Sequence, residues 1–500
     1  MPEQTINTNL TANQLDYALF LPAISGFYAT FIGKQRDPAN GPYVDPARFP
    51  PGMTDMEQLN WLNAKKGIFP YRYSLYSGGH ANLDLAKQDW SEDMVRNRID
   101  SDPDTVILGD SGGFQIAKGK WEGDWRAGSG CAKAQKYRES SLRWLDNISN
   151  YAMTLDIPTW VIHDREANSK VGNFQSGQEL VDATKYNNDF FMANRRGINN
   201  GGTRILNVLQ GDNHRAADDW YDTMKHYSDP GRYPTTHFNG WAMGGQNMAD
   251  MELILRRLVT LRYDGLLQQG VHDWMHFLGI SKLEWSCLLT DIQRAIRRHV
   301  NANFTISYDC ASPFLATANG QVYYESIFEH DGRFSYRMAP SADDKKYSTD
   351  TRPWATGVIA DGIYERWEDS PVSQMLRMRD ICIYRPGDLN KVGKEGNTSW
   401  DSFSYALLMA HNVWTHIRAT QEANRRYDSG VIPEMLRNQI SGDTFRDIVE
   451  RIFSAPTRDD SLAIIDHYHS YWMEIIGVRG FKGKKAKNAN TKFNELFTIS

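Results

Sequence analysis

Two carboxylates stand at the ends of short apolar runs and could act as a pair. Asp110 closes Thr105-Val106-Ile107-Leu108-Gly109, and Asp309 closes Phe304-Thr305-Ile306-Ser307-Tyr308. Each run reads as a strand of a parallel sheet. One carboxylate of such a pair can attack an electrophilic carbon and hold it as a covalent ester. The other can put a proton on the leaving group and take one from its replacement. Two displacements would then restore the starting configuration. Behind Asp110 come Ser111, Gly112, Gly113, Phe114 and Gln115. The glycines let a flat ligand approach the backbone closely, while the ring and the amide can meet its face and edge. The alternative for these six residues is a tight turn capped by the aspartate.

The two acids need a frame that brings them together. Apolar runs recur at Val106 to Asp110, Leu155 to His163, Ile205 to Gln210, Phe238 to Met243, Trp274 to Ile280 and Phe304 to Asp309. Helical spacing fills the gaps at Lys136 to Met153, Glu179 to Arg196, Arg215 to Tyr227, Met248 to Tyr263 and Lys282 to Val300. This alternation predicts βαβ units in a (β/α)8 barrel, with an open doubly wound sheet as the alternative. Five polar features fall at successive strand ends: Asp110, Asp156, Gln210 with Gly211, Gly240 with Gly244-Gly245, and Asp309. In a barrel they would converge on one mouth.

Residues 1–70, rich in Pro, Gly and aromatics, read as an irregular lead-in packed on the barrel. The barrel spans 71–320 and extends to about 390. Tyr71 to Tyr76 is its expected first strand, and Lys118 to Gly130 is a loop long enough to cover or touch a substrate. Tyr323 to Tyr336 reads as a hairpin. Residues 391–500 read as helical, with helices at Ser402 to Arg425, Thr444 to Phe453 and Leu462 to Ile476. A basic tail at Phe481 to Lys492 follows.

Composition narrows the classes. Aromatic residues make up 12% of 500 residues, enough for a large core. The net charge of -5 argues against a general basic coat but leaves room for a local groove. Candidates for backbone-binding cations are Lys118 and Lys120, then Arg294, Arg297 and Arg298, with Arg195-Arg196 and the Lys482 to Lys487 run behind them. The four cysteines are far apart and form no CxxC pair, which fits a reducing, cytoplasmic setting. The run Ala18 to Ile32 is too short and too interrupted to span a membrane. His272 and His276 share a strand face and form a weak metal pair at most.

Five segments in order carry a family resemblance. Asp110-Ser111-Gly112-Gly113-Phe114-Gln115 looks like the pocket motif of the tRNA-guanine transglycosylases. Val208-Leu209-Gln210-Gly211 resembles that family's (V/I)QG step. Asn239-Gly240-Trp241-Ala242-Met243-Gly244 is similar to its GGLAVG segment, and His276-Phe277-Leu278-Gly279-Ile280 to its YLMGVG strand. Tyr308-Asp309-Cys310-Ala311-Ser312-Pro313 resembles its FDCVxP motif. The resemblance covers roughly residues 70 to 320. It implies a (β/α)8 barrel that exchanges guanine in a polynucleotide for a 7-deazaguanine base, with no cofactor. It implies Asp309 as nucleophile on C1′ and Asp110 as reader of the base edge and proton carrier. Ser111, Gly113, Asp156, Gln210, Gly211 and the Gly240 backbone would line or bind the base, with Phe114 and Leu278 on its two faces.

Classical members of that family carry a CxCxxC-plus-His zinc site after the nucleophile. This chain has only Cys310 and Cys382 there, so no metal is expected. About 190 residues of different pattern follow Asp309. This looks like the branch that places 7-deazaguanines (preQ0-like) in viral and bacterial DNA, so DNA is the expected partner and tRNA the alternative. A homodimer and accessory proteins stay open. Two other classes compete: a non-catalytic nucleic-acid-binding relative, and a glycoside hydrolase on the same barrel.

Overall fold

The apolar runs lie side by side as parallel strands, with both faces covered. The computed structural model describes residues 9–34, 43–87, 90, 92–96, 104–356, 358–359, 362–363, 369–383 and 398–479. Eight strands make one sheet: β1 (Leu19–Pro22), β2 (Tyr73–Ser77), β3 (Val106–Asp110), β4 (Tyr151–Met153), β5 (Arg204–Leu209), β6 (Gly240–Met243), β7 (Trp274–Phe277) and β8 (Thr305–Cys310). From β2 to β8 each strand pairs with the next in the chain, and β1 pairs with β8. The ring closes where Ala23, just past β1, bridges Leu75 of β2, with Ile24 N–H donating to the Leu75 carbonyl at 2.9 Å. The architecture is the expected (β/α)8 barrel rather than an open sheet.

The connecting helices form the outer layer. α1 (Gly26–Lys34) follows β1; α2 (Gly113–Ala117) and α3 (Ala132–Ile148) follow β3; α4 (Arg165–Val171) and α5 (Gly177–Asn194) follow β4. α6 (His214–Met224), α7 (Met251–Tyr263), α8 (Leu283–His299) and α9 (Ser312–Ala318) follow β5 to β8 in turn. Inside the barrel, Leu21, Leu75, Leu108, Met153, Val208 and Ala242 form one apolar cluster, separate from the larger core between strands and helices. Tyr151 stacks on Trp274 at 4.4 Å within the inner cluster. The interior is packed, so ligand access is confined to the mouth.

After the barrel come the expected hairpin, β9 (Gln321–Phe328) with β10 (Phe334–Pro340), and a two-stranded ladder, β11 (Val358–Ile359) with β12 (Gly362–Ile363). Helices α10 (Pro371–Met375), α11 (Met378–Ile381), α12 (Ser402–Asp428), α13 (Phe445–Ser454), α14 (Arg458–His467) and α15 (His469–Arg479) complete the described chain. Asp401 caps α12, accepting from Ser404 N–H. α12 packs on α8, α9 and β9 and is buried along most of its length. The C-terminal region is therefore built onto the barrel's outer layer. The lysine tail from 481 onward lies outside the described residues.

Three boundaries differ from expectation. The lead-in supplies a barrel strand: Leu19–Pro22 is apolar on every residue because both faces are buried, so it shows no alternation. β4 sits at Tyr151–Met153, inside the segment read as helix. The apolar residues after it form a loop and a 3-10 turn at Thr159–His163. The segment read as one helix at Leu462 to Ile476 is split into α14 and α15 around Tyr468.

Candidate active site

The carboxyl ends of the strands surround a cavity of about 440 Å³, within the usual range for a small-molecule site. Asp110, Asp156, Gln210, Gly244, Gly245, Leu278 and Asp309 all line it. They come from strand ends β3 to β8. The β1 and β2 ends add Ser25, Ser77 and His80.

Asp309 is the fifth residue of β8 and is 2% exposed. Its Oδ1 accepts from Gly279 N–H at 3.0 Å and lies 3.2 Å from His276 Nε2. His276 is fully buried on β7, directly paired in register with Ser307 of β8. Its Nδ1 is 2.9 Å from Ser307 Oγ, which accepts from Trp274 Nε1–H at 2.8 Å. A polar chain thus runs up through the barrel to the carboxylate.

Asp110 ends β3, opposite Ser77 in the β2 register. It accepts from Gly112 N–H at 3.2 Å and from the Ser77 hydroxyl. Burial pushes its carboxyl above the usual range, the charge of Asp309 adds to this, and the two hydrogen bonds oppose it. Asp156 lies three residues past β4. Burial pushes it up to about 7, against a 2.7 Å hydrogen bond from Gln210 Nε2–H to its Oδ2. Three carboxylates in one enclosed cavity, two of them held toward the protonated form, make a site suited to acid–base work.

The glycines act through close packing. A Cβ on Gly113 would press into the Asp156 carbonyl oxygen and sit 2.9 Å from its Oδ1. Gly113 is thus the seat of Asp156 rather than a residue of the cavity wall. Gly245, at φ +54, leaves its backbone facing Gln210 and Gly211, where a Cβ would meet the Gly211 oxygen at 2.7 Å. Such approaches exclude any larger residue.

Phe114 and Leu278 come from strands four apart around an eight-stranded ring, so they face the cavity from opposite sides. Trp160 joins Phe114 at the rim, ring centroids 5.9 Å apart. The Lys118 ammonium lies 5.8 Å from the Phe114 ring and 5.4 Å from the Trp160 ring. Lys120 also lines the cavity and is exposed. The loop carrying both lysines is not a free flap: Trp121 stacks on Tyr137 at 4.7 Å and Trp125 is fully buried.

Several expected residues lie elsewhere. Gly240 is the first residue of β6, at the far end from the mouth, where a Cβ would strike the Trp274 carbonyl. Gly244 and Gly245 reach the cavity in its place. Ser111 donates to the Thr154 carbonyl at 2.8 Å and Gly211 packs on Ala217; neither lines the cavity. Arg294 is clamped by Asp16 and Asp428, Arg297 donates to the Phe304 carbonyl, and Arg298 pairs with Glu450. These three sit on the last turns of α8, just before β8 begins, at the end opposite the mouth. Arg195 donates to the carbonyls of Thr203 and His237, and Arg196 to that of Asp146; both are structural. His272 and His276 do not converge, since His272 bonds the Ser228 carbonyl.

The sequence reading missed Ser25, Ser77 and His80 at the β1 and β2 ends, and also His276 and Trp160. His276 was read as part of a strand, not as the partner of Asp309. The sequence shows His276 in the run before that of Asp309, but its register against Ser307 comes only from the structure. Trp160 was hidden in a run read as strand.

Among the described residues, no group of three or more His, Cys, Asp or Glu side chains is placed to hold a metal ion. Cys310 packs 3.6 Å from His416 Nε2, while Cys382 meets the Ala342 carbonyl. No helix among the described residues is long and apolar enough to cross a membrane. No protein-family model matches the chain, and no curated protein matches it.

Proposed function

We propose that this chain is a base-exchange transglycosylase that replaces guanine in DNA with a 7-deazaguanine base. The observation that carries the reading is the meeting of Asp309, Asp110 and the Asp156–Gln210 pair in one cavity with faces at Phe114 and Leu278. Asp309 attacks C1′, and the bond from C1′ to the base nitrogen breaks with its electron pair going to the purine. Asp110 supplies the proton that the departing purine takes up. Its raised proton affinity supports that part. The incoming base returns a proton to Asp110, its nitrogen bonds C1′, and Asp309 leaves. Two inversions give net retention.

Guanine and its 7-deaza analogues present two N–H donor groups and one carbonyl on the same edge. An ionised Asp156 suits the donors, and the Gln210 amide with the Gly245 backbone suits the carbonyl. A base must leave its stack to reach such a cavity, at a cost of a few kcal/mol, which stacking on Phe114 offsets. A glycoside hydrolase would have no use for this flat, edge-reading wall. The choice of DNA over tRNA rests on the C-terminal region, where helices and a hairpin follow the nucleophile and the two cysteines after Asp309 pack in separate places.

Trapping tests the reading. Incubated with guanine-containing DNA and no incoming base, the wild type forms an adduct that survives denaturation, and Asp309→Ala forms none. An adduct with tRNA alone would move the substrate to RNA. An adduct that persists in Asp309→Ala would overturn the mechanism.

A further inference from the structure

Resting on that reading, we infer that His276 is the positioning residue of the nucleophile. It holds Asp309 Oδ1 so that Oδ2 attacks, and it speeds the departure of Asp309 in the second displacement. An indole N–H only donates, so Trp274 fixes Ser307 Oγ as an acceptor. Ser307 is fully buried. Among the described residues, its hydroxyl has Trp274 and His276 as side-chain partners. A buried hydroxyl proton left unpaired is costly, so it goes to His276 Nδ1 at 2.9 Å. The ring proton then sits on Nε2 and points at Asp309 Oδ1, 3.2 Å away. The chain has a donor-only group at one end and a carboxylate at the other, so every hydrogen bond in it runs the same way.

Gly279 N–H adds a second donor to the same oxygen. Oδ1 is thus doubly held, and among the described residues no hydrogen bond reaches Oδ2. When Oδ2 bonds C1′ and the base departs, Oδ1 becomes an ester carbonyl and the negative charge is gone. When the incoming base attacks C1′, the pair of the breaking C1′–Oδ2 bond returns to the carboxylate. Two donors on Oδ1 stabilise that carboxylate more than they stabilise the ester. His276 therefore keeps the covalent adduct short-lived, and its effect is absent from recognition of the free base.

Two substitutions separate this from a packing role. His276→Leu fills the space without a donor. His276→Gln offers an amide N–H from nearly the same position. In His276→Leu the exchange rate should fall roughly ten- to hundredfold, the worth of one hydrogen bond to a charged group. The fraction of enzyme trapped as adduct should rise, and the affinity for free base should not change. His276→Gln should recover most of the rate. Nitrogen NMR of the histidine-labelled wild type should find His276 protonated at Nε2 only. Wild-type exchange and adduct levels in His276→Leu, equal loss of rate and base affinity in both variants, or a proton on Nδ1 would each overturn the role. Those outcomes leave Asp309-dependent exchange intact. If wild type shows no Asp309-dependent exchange at all, the base-exchange reading falls and this role falls with it.

Discussion

Gln210 donates to Asp156 at 2.7 Å, yet burial still lifts the Asp156 carboxyl to about 7. One amide bond does not offset the loss of water around a carboxylate that is 7% exposed. The cavity is thus built with an acid that changes charge near neutral pH.

Base binding should depend on the charge of Asp156. The ionised Asp156 accepts from the donors on the guanine edge, and the protonated form has lost an acceptor. Affinity for free guanine or a 7-deazaguanine should therefore weaken as pH falls below about 7, approaching tenfold per unit. Asp156→Asn should bind weakly at all pH values. Calorimetric titration from pH 5.5 to 8.5 checks this, and a flat wild-type profile would contradict it.

The same shift has a stability consequence of opposite sense. The folded carboxyl takes its proton more readily than the unfolded one. The stability this provides is full below about pH 4 and is lost as pH rises through about 7. Asp156→Asn should therefore be more stable than wild type at pH 8, by roughly 2–4 kcal/mol, with little difference at pH 4. Denaturant unfolding at the two pH values measures it. A variant less stable at pH 8 would show that Gln210 and the cavity already favour the charged form.

Gly113 offers a backbone test. Its missing Cβ is what lets the Asp156 carbonyl lie against α2. Gly113→Ala should displace Asp156 and cost about 1–3 kcal/mol from overpacking, with base affinity reduced at least tenfold. Unchanged affinity in a folded variant would remove Asp156 from the base-reading wall.

The rim lysines and the α8 arginines should behave differently. Lys118 and Lys120 stand at the mouth, while Arg294 is held by Asp16 and Asp428. Replacing both lysines by alanine should flatten the dependence of DNA affinity on salt, by a slope change of up to about 1.8 if each meets a phosphate. Arg294→Ala should lower stability and leave that slope unchanged. A lysine variant with the wild-type slope would place the polynucleotide elsewhere.

Much of the barrel was legible because its strands are buried on both faces and separated by helices of clear period. Asp110, Gln210, Leu278 and Asp309 fell at strand ends where a barrel presents its chemistry. β1 was not legible because four apolar residues ending in Pro22 look like any buried stretch, and only closure against β8 and Ala23–Leu75 makes them a strand. Gly240 was misplaced because a strand run does not show how far its pairing extends. Four paired residues, Gly240–Met243, put Gly240 at one end and Gly244 just past the other. The basic helix end at Arg294 to Arg298 was misread because charge alone does not reveal partners as distant in sequence as Asp16 and Glu450. The link from Trp274 through Ser307 and His276 to Asp309 depends on strand register, which no local pattern encodes.

The most direct measurement is entry of labelled guanine into a polynucleotide. Wild type and Asp309→Ala would be offered a guanine-containing DNA duplex and, separately, a tRNA pool. Label should enter DNA with wild type alone, with release of an equal amount of unlabelled guanine. Label entering DNA with Asp309→Ala, or no label in either polynucleotide with wild type, would contradict base exchange through Asp309.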